Sequence, residues 1–152
     1  MPRSHSGRTW LGFTAAVGCL LGLMLLAGRS GGIAQHLLDP MEQARSAVRS
    51  DQLAFDLLAQ RRVTSSIAET VLKTMTDELV SAEKSITSAE VSRQGDQALR
   101  DAALAAVRQA TSASLAGRDC LSQNRPCATA TEALQSSAEA LQEVLDGLHS
   151  SR

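Results

Sequence analysis

Apolar residues recur every three or four positions along most of the chain, the spacing of an amphipathic helix. Sustained alternation of apolar and polar residues, which would indicate strands, is almost absent. The apolar stripes predict four helices, and these span residues 40–62, 66–93, 97–116 and 129–149. The sequence therefore predicts an all-α protein.

Residues that cap helices support these starts. Asp39 precedes Pro40, and a proline suits the first helical position because it has no N–H to leave unpaired. Ser66 and Thr129 are each followed three residues later by a glutamate, the pattern of a capping box. The predicted caps are Asp39, Ser66, Asp96 and Thr129, and the predicted stops are Gly95 and Gly117.

The segment between the first two stripes leaves two architectures open, because residues 58–66 contain neither glycine nor proline. A break there gives four helices of similar length, which suit an antiparallel up-down-up-down bundle. Without a break, residues 40–93 form one helix about 80 Å long, with two shorter helices folded back in a coiled-coil-like arrangement. Asp51 and Arg62 fall on the apolar seam and weaken that alternative, so the bundle is favoured.

The first 38 residues differ from the rest in pattern. Residues 1–9 carry Arg3 and Arg8 without an acid, and residues 10–27 contain no charge. Eighteen uncharged residues extend about 27 Å as a helix, close to the thickness of a bilayer core. We predict a cytoplasmic flank at 1–9, a membrane-spanning helix at 10–27, a linker at 28–38 and an extracytoplasmic domain at 39–149.

Two other fates of residues 10–27 compete with a single-pass anchor. The segment could be the core of a signal peptide, since Gly32 and Ala34 are small residues placed for cleavage before Gln35. The protein would then be secreted or periplasmic. Cys19 follows a loosely lipobox-like sequence and is a weak lipidation candidate, but the apolar run continues beyond it.

Cys120 and Cys127 lie between the third and fourth predicted helices. A disulfide between them would close a loop of eight residues, worth roughly 2–3 kcal/mol in the chain-entropy model. Disulfides persist in oxidising compartments, which agrees with export of this region. The spacing is not the C-x-x-C of redox motifs, so we predict a structural disulfide.

Composition and the absence of known motifs argue against nucleic-acid binding and against an enzymatic function. The net charge is −1 and aromatic residues make up 2% of the chain, so neither a basic surface nor stacking platforms for nucleic acid are expected. No Walker A, GxGxxG, HExxH or GxSxG motif occurs, and the three histidines are scattered. We expect no enzyme activity, no cofactor and no metal site.

These features together suggest a role in binding. We expect a membrane-anchored helical module of a bacterial envelope, which acts as a scaffold or contacts another protein, or itself, through helix faces. The alternative is a cleaved, secreted or periplasmic helical bundle that binds a small ligand.

Overall fold

The computed structural model describes residues 32–91 and 93–150, and all of the regular structure within them is helical. The four helices are α1 (Ile33–Ala59), α2 (Ser65–Thr87), α3 (Gln94–Ser122) and α4 (Ala128–Ser150). The predicted all-α class and the number of helices in the domain are confirmed.

The helices form a bundle in which each packs against its two neighbours in a ring, and α1 also contacts α3 across the centre. The chain turns between α1 and α2 at residues 60–64, which excludes the single long helix. Connections of five or six residues join antiparallel neighbours. Ile33 and Ser150 therefore lie at one end of the bundle, and the α1–α2 and α3–α4 connections lie at the other.

The core combines rows of large aliphatic residues with many alanines. The largest aliphatic side chains that are fully enclosed are Leu37, Met41, Val48, Leu72, Leu79, Ile86, Val107, Leu134, Leu141, Leu145 and Leu148. Phe55 is the single aromatic residue between residues 32 and 150. Buried alanines on α1 and α3, among them Ala44 and Ala110, leave space for these two helices to meet across the core.

The start of α1 differs from the prediction. Asp39 does not cap the helix, which begins at Ile33 and contains Pro40 in its interior. Pro40 cannot donate a hydrogen bond to the carbonyl of His36, a loss that normally disfavours helix. Burial of Ile33, Ala34, Leu37 and Leu38 offsets this loss. Residues 33–38 are thus part of the bundle, and the predicted linker 28–38 is wrong over that stretch.

The starts of α2 and α4 lie slightly before the predicted capping boxes. The cap of α2 is Thr64, whose side-chain oxygen accepts a hydrogen bond from the N–H of Ile67 at 3.4 Å, and Ser66 is already helical. α4 begins at Ala128, so Thr129 is not its cap; the hydroxyl of Thr131 donates to the carbonyl of Cys127 instead. The hydroxyl of a serine or threonine near the start of a helix can either accept a hydrogen bond from a backbone N–H, as a cap does, or donate one to a backbone carbonyl. The sequence pattern alone therefore misplaces the helix start.

Both glycines predicted to end helices lie inside α3. Gly95 and Asp96 belong to the first turn of α3, where the acid complements the helix dipole, and α2 has already ended at Thr87. Gly117 lies in the interior of α3, which continues to Ser122. The predicted stop at Gly95, cap at Asp96 and stop at Gly117 are therefore wrong.

The α1–α2 connection uses a helix-ending motif without glycine. Arg61 has a positive φ of 56°, and the N–H of Arg62 donates to the carbonyl of Leu57 at 2.8 Å. Asn124 at the end of α3 has a φ of 51° and the same bonding pattern. This left-handed position normally favours glycine, and asparagine tolerates it better than arginine does.

Substituting Arg61→Gly is expected to stabilise the protein by about 0.5–1 kcal/mol, because glycine adopts the left-handed conformation without steric strain. Chemical denaturation would measure the change in the free energy of unfolding. Arg62→Gly is the matched control: Arg62 has no positive φ, so that change should be neutral or destabilising. A loss of stability in Arg61→Gly as large as in the control would contradict the assignment.

Polar side chains bridge each pair of neighbouring helices at the bundle surface. Gln43 on α1 hydrogen-bonds Glu78 on α2, and Nε of Arg108 on α3 lies 2.6 Å from Oε1 of Glu83 on α2. The remaining bridges are Gln109–Ser136 between α3 and α4, and Arg45–Gln142 and Gln52–Gln135 between α1 and α4. Their positions fix how far each helix is shifted along its neighbour.

Candidate functional site

An acidic residue lies in the middle of the apolar face of α1. Asp51 follows Val48 by three residues and precedes Phe55 by four, so its side chain points into the core with theirs. Its exposed fraction is 0%. A fully enclosed carboxyl among aliphatic residues is unusual and needs a compensating partner.

Ser114 on α3 provides that partner. It too is 0% exposed, and its hydroxyl donates a hydrogen bond to Oδ2 of Asp51 across the diagonal of the bundle. Oδ1 of Asp51 is buried and has no hydrogen-bond partner. The carboxyl is therefore only half satisfied.

Burial decides the ionisation of this carboxyl. Removal from water disfavours the charged form and raises the pKa of Asp51 to about 7, while the hydrogen bond from Ser114 acts in the opposite direction and is weaker. An ordinary exposed aspartate ionises near pH 4. The folded protein therefore holds the Asp51 proton to a higher pH than an exposed aspartate would.

Two further hydroxyls in the core do not reach the carboxyl. Thr76 on α2 donates to the carbonyl of Leu72 at 2.7 Å, and Ser137 on α4 donates to that of Leu134 at 2.9 Å. Each thus satisfies its own helix. The polar centre, by which we mean Asp51 and Ser114, belongs to α1 and α3.

The helices pack closely one turn of α3 beyond the polar centre. Gly117 lies three residues after Ser114 on α3, facing Phe55 on α1 and Leu72 on α2. A β-carbon built on Gly117 would lie 2.6 Å from Cδ2 of Leu72 and 3.1 Å from two ring atoms of Phe55. A side chain at this position would have to displace Leu72 and the ring of Phe55, because α3 approaches α1 and α2 closely here.

Because Asp51 and Ser114 are both enclosed, the arrangement can bind and release a proton but does not present a nucleophile to a substrate. Among residues 32–91 and 93–150, no group of three or more histidine, cysteine or acidic side chains is placed to hold a metal ion.

The disulfide candidate lies at the end of the bundle that holds the α1–α2 connection. The structure pairs Cys120, in the last turn of α3, with Cys127, just before α4, with their Cα atoms 5.5 Å apart. This separation fits the predicted disulfide. The bond closes the α3–α4 connection and includes Asn124 with its positive φ.

Replacing both Cys120 and Cys127 by serine is expected to destabilise the protein by about 2–3 kcal/mol, because the unfolded chain regains the freedom of the closed loop. Thermal unfolding with and without reductant would measure it. Reductant should lower the melting temperature of the parent protein and leave that of the double variant unchanged; an equal response of both proteins would argue against the disulfide.

Several predicted features fall outside the described residues, namely Cys19, the flank 1–9 and the apolar segment 10–27. Within the part of the chain that the structure describes, no helix has the length and apolarity needed to cross a bilayer. Gln35, the first residue after the alternative cleavage position, lies in the first turn of α1.

The polar centre was only partly visible in the sequence. Asp51 stood out because it interrupts an apolar stripe, and we used it as an argument against a coiled coil. Ser114 gave no signal: a small residue in an alanine-rich stripe is common, and its partner is 63 residues away.

Comparisons with models of known families, with curated proteins and with solved structures gave no match.

Proposed function

We propose that this protein is a membrane-anchored, exported helical bundle that acts as a protein-interaction module. Residues 10–27 would be the anchor and residues 33–150 the module. The observation that carries the proposal is a bundle with a disulfide-paired loop that begins only a few residues after an uncharged apolar segment. A structural disulfide is typical of exported proteins.

The geometry of the bundle suits such an anchor. α1 enters at the end where α4 finishes, so an anchored chain would hold this end towards the membrane. The α1–α2 connection and the disulfide loop would then point away from it. Arg61, Arg62 and Arg125 are exposed on these two loops, within reach of a partner.

Apolar side chains on the outer faces of the bundle support a protein partner. Leu53 on α1, Ile67 on α2 and Leu115 on α3 are large and exposed. Each of these side chains would be removed from water by contact with a partner helix, so the three positions are where the proposal can be tested.

A topology test addresses the anchor. An enzymatic reporter active only outside the cytoplasm, fused after Arg152, should be active, and membranes should retain it after a carbonate wash. A cytosolic reporter would overturn the proposal. Mass spectrometry of the mature N-terminus separates the alternatives: a chain that begins at Gln35 would support the secreted or periplasmic protein.

A crosslinking test addresses the partner. A photoreactive amino acid placed at Leu53, Ile67 or Leu115 should give discrete adducts in intact cells. Ser46, exposed on α1, is the matched control site and should give none. Monomer alone at all three apolar positions would contradict the interaction role.

A further inference from the structure

The polar centre joins two helices that are not neighbours in the ring. The hydrogen bond between Ser114 and Asp51 crosses the bundle from α3 to α1, and Oδ1 of Asp51 is left without a partner in the core. We propose that Asp51 and Ser114 form a proton-controlled latch, which holds α1 against α3 while the carboxyl is protonated and loosens when the proton leaves.

The chemistry of the enclosed carboxyl sets the direction of the latch. A neutral carboxyl with one hydrogen bond is tolerable in a core, but a carboxylate there has a full negative charge and a single donor. Stabilising that charge requires water or further donors at Oδ1. The hydroxyls of Thr76 and Ser137 do not supply such donors, because they are bonded within their own helices.

No cation in the described residues forms an ion pair with the Asp51 carboxyl. The buried residues of α2 and α4 are all uncharged, and the other buried acid, Asp96, lies at the far end of α3 from Ser114. Arg118 on α3, four residues after Ser114, is half-buried, and its buried Nε has no hydrogen-bond partner. Lys73 on α2 and Glu132 and Glu139 on α4 are exposed. The ion pairs of the described residues do not include Asp51.

Packing makes the seam respond as a unit. Gly117, Phe55 and Leu72 pack closely one turn from the polar centre, so this side of the centre has little room for water while α1, α2 and α3 stay together. Loss of one proton would therefore loosen a whole section of the bundle.

The sign follows from linkage. The pKa of Asp51 is raised in the folded protein to about 7, so the stability associated with its proton is fully present below the pKa of the unfolded chain. It is lost as the pH rises from about 4 through 7. The latch closes in acid and loosens in mildly alkaline conditions.

Hydrogen exchange of the full-length chain in mild detergent tests the latch. After correction for the intrinsic effect of pH, peptides spanning residues 44–58 and 107–121 should lose about 100-fold in protection between pH 5 and pH 8. Asp51→Asn, which keeps the shape of the side chain without its ionisation, should retain its protection. An equal loss in both proteins, or no loss in the parent, would overturn the proposal.

A second variant keeps the test decisive if Asp51→Asn does not fold. Ser114→Ala removes a hydrogen bond that favours the carboxylate, so the midpoint of the pH transition should move to higher pH. A purely structural role for Ser114 would weaken protection at every pH and leave the midpoint unchanged, which would also overturn the latch.

Discussion

Replacing Gly117 by leucine is expected to destabilise the bundle by about 3 kcal/mol. Even a β-carbon at this position would lie 2.6 Å from Leu72 and 3.1 Å from the ring of Phe55. A leucine must displace both side chains in a core that is already filled, and overpacking of this kind typically loses 1–3 kcal/mol or somewhat more. Urea denaturation would measure the change.

The neighbouring residue provides the control. Ala116 is exposed on α3, so Ala116→Leu adds the same side chain to the same helix without meeting the core, and stability should change by less than about 0.5 kcal/mol. Adding Leu72→Ala to Gly117→Leu should restore part of the lost stability by making room. Equal effects of Gly117→Leu and Ala116→Leu would show that the close approach of the helices is not needed.

Substituting Ser114→Ala is expected to destabilise the protein by about 1–3 kcal/mol at pH 8, because it leaves the Asp51 carboxyl without any hydrogen-bond donor in the core. The loss should be smaller at pH 5, where the carboxyl is neutral. Thermal or urea unfolding at the two pH values would measure both quantities.

Ser137 is a close control for Ser114. It is a serine with the same exposed fraction of 0%, but its hydroxyl donates to the carbonyl of Leu134 in its own helix. Since that carbonyl keeps a helical partner, Ser137→Ala should change stability little and equally at both pH values. If the two alanine variants behaved alike, Ser114 would have no special relation to Asp51.

The helices could be predicted because their signal is repeated. A stripe such as Val71, Met75, Leu79 and Ile86 gives several independent indications of one helix, so a single unusual residue does not hide it. The boundaries depend on one or two residues each. Asp39 with Pro40 and Gly117 had local properties of a cap and a stop, but burial of the surrounding side chains overrode them.

Of the two residues of the polar centre, only Asp51 could be predicted from the sequence. Asp51 is anomalous within its own helix, and periodicity alone locates such a residue. Whether it lies exposed, at an interface or in the core depends on which helices enclose it. The sequence does not show that Ser114 lies opposite, because the pairing follows from the shift of α3 along α1.

The hydrogen bonds between neighbouring helices have a consequence for the ionic environment. Four of the five bridges include a glutamine, an uncharged side chain: Gln43, Gln52, Gln109 and Gln142. Dissolved ions weaken attractions between exposed charges such as Arg108 and Glu83 but have little effect on neutral amides. The helices should therefore keep their alignment in dilute and concentrated saline alike, so the bundle should tolerate wide changes in ionic strength.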